Sequence, residues 1–87
     1  MFADYILPSP APKLRCDKAI ELAQSKLLEL GGTSDSYINT IHLIGMDDKT
    51  LWVIWFASPT NGYTILTVQM NGHVRKATQA EIDRARR

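Results

Sequence analysis

The sequence predicts an α+β fold in which one N-terminal helix packs on a four-stranded antiparallel meander sheet and a short C-terminal helix follows. Three observations carry this prediction. Residues 17–30 place apolar side chains at helical spacing, residues 37–77 are rich in β-branched and aromatic residues between turn signals, and residues 78–81 match a capping box. The chain has 87 residues, enough for one modest core, so we expect a single domain at 14–87.

Residues 1–13 are expected to form an extended arm ahead of that domain. Pro8, Pro10 and Pro12 fix φ and remove backbone donors, which favours a polyproline-like conformation. The first residues lack the basic region and long apolar core of an export signal. Two interpretations stay open: a cytoplasmic protein that begins at its natural Met1, or a periplasmic or secreted protein whose signal was replaced by a start Met.

The N-terminal helix is expected at residues 17–30. Asp17 is a favourable N-cap, and Gly31-Gly32 supplies a left-handed stop. Cys16, just before the helix, is interpreted as a small packed residue, because no general base lies near it in a recognisable pattern. Steps of three and four residues place one apolar stripe on the helix, made of Ile20, Ala23, Leu27 and Leu30.

The period then changes to that of strands. Asn71-Gly72 is a strong two-residue hairpin signal. Thr78 and Glu81 form the capping box of a final helix that runs to about residue 86. The predicted strands are 37–46, 51–57, 63–70 and 73–77, with polar turns at 47–50 and 58–62.

The central strand, "LWVIWFA" at 51–57, is apolar on both faces. Strict alternation places Val53 and Trp55 on one face and Trp52 and Phe56 on the other, and it groups Ile38 with His42 and Ile44 on the first strand. The N-terminal helix can cover one face, and Leu66, Val68 and Met70 mark the face expected inside. The other is either covered by the arm or the last helix, or is an interface for a second copy or a partner. The interface candidates are Trp52, Trp55, Phe56, Tyr63 and Ile65.

Charge and hydropathy exclude several function classes. The net charge of +1 gives no general attraction to nucleic acid or acidic membranes. No run approaches the ~18 apolar residues that span a bilayer, so membrane insertion is not expected. The basic patch at Arg84, Arg86 and Arg87 is interpreted as a solvated helix end or a docking strip for an acidic partner.

No catalytic, metal or cofactor signature is present. His42 and His73 lack a third ligand at metal-binding spacing, and the serines lie outside any nucleophile elbow. Asp47-Asp48 lacks the twelve-residue ligand series of a calcium loop and is interpreted as a tight polar turn. We therefore expect no enzyme activity and no cofactor.

Several short features resemble one known family. Ala19-Ile20 and Ala23 on the helix, with Asn71-Gly72-His73-Val74 in the last hairpin, resemble the PepSY domain, a small module of protease propeptides and bacterial envelope proteins. The resemblance spans roughly residues 16–77. The strands are more aromatic and less acidic than is usual in that family, and the hairpin turn is shorter. The resemblance implies a non-enzymatic module, often exported, that binds or restrains a protein partner.

Three functional expectations follow. The first is a protein-binding module that inhibits or modulates a partner through an apolar sheet face. The second is a cytosolic immunity-type or structural homodimer with paired sheets or edge strands. The third is a small ligand-binding protein that uses a pocket between helix and sheet, although the sequence offers no polar cluster for such a pocket.

Overall fold

A computed structural model describes residues 12–86, and most of the predicted arm lies outside these residues. The sheet order is β1-β2-β3-β4, and every neighbouring pair is antiparallel. This confirms the predicted α+β fold with a meander sheet and a short C-terminal helix. The elements are α1 (Cys16–Lys26), β1 (Tyr37–Met46), β2 (Lys49–Ser58), β3 (Gly62–Gln69), β4 (Val74–Lys76) and α2 (Gln79–Ala85).

The helix α1 begins and ends earlier than predicted. Arg15, not Asp17, is the N-cap and makes no side-chain capping bond; Asp17 lies in the first turn, where a carboxylate suits the positive end of the helix. At the other end, the Gly32 N–H donates to the Leu27 carbonyl at 2.9 Å, and Gly31 has a φ of +103°. Because the chain turns at these glycines, residues 27–31 form turns, and the regular helix ends at Lys26.

The turn geometry differs from the prediction at two of the three hairpins, β1–β2 and β3–β4. Asp47 and Asp48 have φ of 51° and 63°, so they form a two-residue loop of the type I′ kind that closes between Met46 and Lys49. This loop is shorter than the predicted turn, and β2 consequently starts at Lys49.

The predicted two-residue hairpin at Asn71-Gly72 is a three-residue loop instead. Only Gly72 has a positive φ, +91°, whereas a type I′ turn needs positive φ at both central positions. The Gly72 N–H donates to the Gln69 carbonyl, and the Gln69 N–H donates to the His73 carbonyl, each at 2.9 Å. The loop therefore has the pattern of a type I turn followed by a left-handed glycine.

A β-bulge changes the face assignment on β1. The register shifts between Ile38 and Thr40, so Ile38 lies opposite Phe56 and packs against the α1 core. Strict alternation placed Ile38 with His42 and Ile44, and that grouping is wrong. The buried core between α1 and the sheet contains Ala19, Ala23, Leu27, Trp52, Ile54, Phe56, Leu66 and Val68.

The second face is partly covered by α2. Ala85 of this helix packs in a small core with Ile44, Leu51 and Val53, and Trp55 and Ile65 lie against that core. This core lies on the half of the sheet nearer to the β1–β2 turn, so α2 covers that half.

Glu81 fixes α2 to the sheet. Thr78 and Glu81 form the predicted capping box, with both reciprocal bonds present. The Glu81 carboxylate also accepts from Thr67 Oγ1 at 2.8 Å and from both terminal nitrogens of Arg75 at 2.8 and 2.6 Å. The Arg75 hydrogen bonds lower the pKa of Glu81 to about 2, and those from Thr78 and Thr67 act in the same direction. Glu81 thus stays ionised while buried.

Asp35 ties the loop that follows α1 to the turn between β2 and β3. Its carboxylate accepts from Thr33, from Ser58 at 2.7 Å and from Thr60 at 3.0 Å. These bonds, led by that from Thr33, lower the pKa of Asp35. The Asn61 side chain adds a bond to the Gly31 carbonyl at 3.1 Å, so two loops at the same end of the sheet are held together.

Candidate functional site

Within residues 12–86, no helix or loop covers the half of the second sheet face nearer to the β2–β3 turn, and this half is aromatic. Tyr37 and Tyr63 both lie opposite Ala57, one from each neighbouring strand, and are 57% and 60% exposed. Trp55 lies in the next row and meets the Tyr63 ring edge to face, with ring centroids 5.7 Å apart. We call Tyr37, Trp55 and Tyr63 the aromatic patch.

A cation lies at the margin of this patch. The guanidinium carbon of Arg86 is 5.9 Å from the centre of the Trp55 ring, within the range of a cation–π contact. A shallow pocket of about 330 Å³ opens beside it, and among the described residues Arg86 is the only permanently charged one in its lining. The lining residues are Asn39, Thr40, His42, Trp55, Tyr63, Ala85 and Arg86.

The two tryptophans differ in their hydrogen bonding. Trp52 Nε1 donates to the Leu14 carbonyl at 2.8 Å, whereas Trp55 Nε1 is buried and donates to no acceptor among residues 12–86. A buried donor without a partner costs about 1–3 kcal/mol. An acceptor that reached Trp55 would recover part of that free energy.

The predicted interface residues separate between the two faces. Trp52 and Phe56 lie beneath α1, and Phe56 is 1% exposed, so neither offers surface to a partner in this fold. Trp55, Tyr63 and Ile65 share the opposite face. The sequence left the choice of face open because β2 is apolar on both sides.

Tyr37 is the residue of the patch that the sequence analysis missed. It precedes the β1 bulge and lies on the same face as Trp55 only because the register shifts between Ile38 and Thr40. A bulge leaves little trace in a single sequence. The position of Tyr37 would have followed from aligning the start of β1 with the end of β2, where Tyr37 lies opposite Ala57.

The predicted basic patch does not form one strip. Arg84 Nε donates to the Gly45 carbonyl on β1 at 3.0 Å, while Arg86 lies over Trp55. Arg87 lies outside the described residues. Arg84 and Arg86 therefore have different contacts, and of the two only Arg86 lies beside the aromatic patch.

Other chemically capable side chains do not converge. Within residues 12–86 there is no group of three or more His, Cys, Asp or Glu side chains that could hold a metal ion. His42 lines the pocket beside Trp55, whereas His73 is exposed after the last hairpin. Cys16 is half-buried against the α1 core, and Ser58 bonds to Asp35. These residues serve packing and loop geometry.

A larger pocket of about 460 Å³ lies at the opposite end of the sheet. It opens between Pro12 and Lys13 on one side and the ends of β2 and β3 on the other, and among residues 12–86 no aromatic ring lines it. Aromatic side chains and arginine are the usual anchors of protein-binding surfaces. The aromatic patch is therefore the stronger candidate.

In the part of the chain that the structure describes, no helix has the length and apolar character needed to cross a membrane. Comparisons of this chain with protein-family models, with curated proteins and with solved structures found no significant match. The resemblance to the PepSY domain therefore stays a prediction.

Proposed function

We propose that this chain is a non-enzymatic protein-binding module whose aromatic patch receives an acidic segment of a protein partner and thereby modulates or inhibits that partner. The observation that carries the proposal is the open pair of rings, Trp55 and Tyr63, next to Arg86. Rigid aromatic side chains and arginine are the residue types that most often dominate binding free energy.

The chemistry of the patch supports one class of partner. The rings offer apolar area, and Arg86 offers a cation that is only loosely held by a π face. A carboxylate next to an apolar or aromatic side chain matches both features, since guanidinium and carboxylate form charge-assisted hydrogen bonds. An acidic segment with an apolar neighbour is the expected ligand.

Charge argues against self-association through this same patch. The described residues that line the pocket beside Trp55 include no Asp or Glu, so a second copy joined face to face would offer Arg86 no carboxylate partner there. A small-molecule site is less well supported, because the pocket lies near the lower end of the usual volume range and is open. The PepSY resemblance points to the same class of function.

A peptide-display library panned against the full chain tests this proposal. We expect enrichment of sequences that pair Asp or Glu with an apolar residue. A selected peptide, titrated by calorimetry, should bind Tyr63→Ala and Arg86→Glu at least ~10-fold more weakly, because each change removes one anchor. Leu28→Ala and Lys18→Glu are matched controls, since both residues are exposed on α1 or just after it.

Two outcomes would overturn the proposal. One is enrichment of peptides with no acidic preference. The other is equal loss of binding in the control variants, which would place the binding surface elsewhere on the molecule.

A further inference from the structure

The two edges of the sheet are protected to very different extents. β4 forms one edge with three residues, Val74–Lys76, two of which are cationic. β1 forms the other edge with ten residues, Tyr37–Met46, and contains no Lys, Arg, Asp, Glu or Pro. Short strands, charges and proline are the usual means of blocking an edge, so β1 is the edge able to accept another strand.

The two-residue β1–β2 turn determines which backbone groups of β1 form hydrogen bonds with β2. In a two-residue hairpin the flanking residues, here Met46 and Lys49, form a hydrogen-bonded pair. Hydrogen-bonded and non-hydrogen-bonded pairs alternate along an antiparallel ladder. Ile44 and His42 are therefore the next residues whose N–H and C=O groups bond to β2.

Three residues of β1 alternate with those bonded to β2: Gly45, Leu43 and Ile41. Their N–H and C=O groups point away from β2, toward the open edge. Arg84 donates to the Gly45 carbonyl at 3.0 Å, which agrees with this orientation and closes that end of the edge. The bulge beside Asn39 interrupts the ladder at the other end. Among residues 12–86, the N–H and C=O groups of Leu43 and Ile41 are therefore left free on the β1 edge.

We propose that β1 pairs with β1 of a second copy in antiparallel orientation, about a two-fold axis that passes at His42. Ile41 then lies opposite Leu43 of the second copy, and Leu43 opposite Ile41, so the two open residues of each chain satisfy those of the other. A register centred on Leu43 would require the Gly45 carbonyl that Arg84 occupies. A register centred on Ile41 would pair Leu43 with Asn39 of the second copy, where the bulge interrupts the regular backbone of β1.

The side chains and charges also favour a second copy. Ile41 and Leu43 lie on the α1 side of the sheet, and Leu43 is 44% exposed although it is apolar. In the symmetric pair each Leu43 packs beside Ile41 of the other chain. Since β1 contains no Lys, Arg, Asp or Glu, the pairing brings no like-charged pair of these residue types together between the two β1 strands. This dimer uses the β1 edge, whereas the proposed aromatic patch uses the second sheet face, and the two adjoin at His42, which lines the pocket beside Trp55.

Sedimentation equilibrium of the full chain over a wide concentration range tests the pairing. We expect a monomer–dimer equilibrium, and we expect Leu43→Lys to weaken the dimer by at least ~10-fold, because a lysine on an edge opposes strand pairing. Leu28→Lys is the control, since Leu28 is 66% exposed and lies off the edge. A wild-type chain that is monomeric throughout overturns the proposal, as does equal weakening by Leu28→Lys.

Disulfide trapping tests the register itself, in a Cys16→Ser background. His42→Cys should cross-link two copies rapidly, because directly opposed residues of a non-hydrogen-bonded pair have Cα atoms ~4.5 Å apart, within the disulfide range. Thr40→Cys should not, because four residues of strand then separate the two positions along the axis, ~13 Å. Comparable cross-linking by Thr40→Cys would overturn the proposed register. Circular dichroism on each variant confirms that it folds.

Discussion

Glu81 shows how one residue links local sequence to the shape of the sheet face. The sequence predicted its role in the capping box, and that role is confirmed. Its bonds to Thr67 and Arg75 were not predictable, because they join residues that only the β3–β4 register brings together. A single sequence carries the i to i+3 pattern of a cap but not the pairing of distant strands.

The first prediction concerns this carboxylate. The folded-state pKa of Glu81, about 2, lies below its ordinary value of 4.5. Its contribution to the free energy of unfolding is therefore complete above pH 4.5 and is lost as the pH falls toward 2. The full shift corresponds to about 3 kcal/mol as an upper limit. Denaturant unfolding at a series of pH values measures this loss.

Glu81→Gln should remove that part of the acid dependence and destabilise the protein at neutral pH by about 2 kcal/mol, because Arg75 loses its charged partner. Glu21→Gln, in an exposed pair with Lys18, is the matched control and should change stability by less than about 0.5 kcal/mol. An acid profile of Glu81→Gln identical to that of wild type would contradict the assignment.

At the scale of elements, the helices and strands followed from periodicity and turn residues, whereas their junctions did not. Asn71-Gly72 was expected to make a two-residue loop between β3 and β4. The two residues with the positive φ values that such a loop needs are Asp47 and Asp48, in the β1–β2 hairpin. The bulge on β1 likewise moved Ile38 to the α1 side. Both features depend on how neighbouring strands are aligned, which local sequence constrains weakly.

The end of α1 provides a second prediction. A Cβ added at Gly32 would overlap Leu27 Cδ1 and Cγ, and Leu27 belongs to the core beneath α1. Gly32→Ala should therefore lower the free energy of unfolding by about 1–3 kcal/mol, since Leu27 must leave its packed position. Thermal or denaturant unfolding measures the change.

Gly45→Ala is the control for this substitution. A Cβ at Gly45 would meet no atom closer than 4.0 Å, and Gly45 has no positive φ that would strain an alanine. We expect it to change stability by no more than about 0.5 kcal/mol. Equal destabilisation by the two substitutions would contradict the assignment of the effect to the contact with Leu27.

At the scale of the molecule, the two helices cover different fractions of the two sheet faces. α1 buries one face, and the seven-residue α2 buries only the half of the other that contains Val53. The sequence indicated that the second face has more apolar area than one helix can cover. It did not indicate which half stays open, because that depends on the path of α2 set by Glu81. The aromatic patch is the part that no helix or loop within residues 12–86 covers.

The central claim is that this open half-face binds an acidic segment, and the two indole N–H groups test it most directly. In a ¹H–¹⁵N titration with a library-selected acidic peptide, we predict a large shift of the Trp55 indole signal. The Trp52 indole, held by the Leu14 carbonyl beneath α1, should stay in place. Assignment by Trp55→Phe identifies the signals. A shift of the Trp52 signal with the Trp55 signal unmoved would contradict the claim.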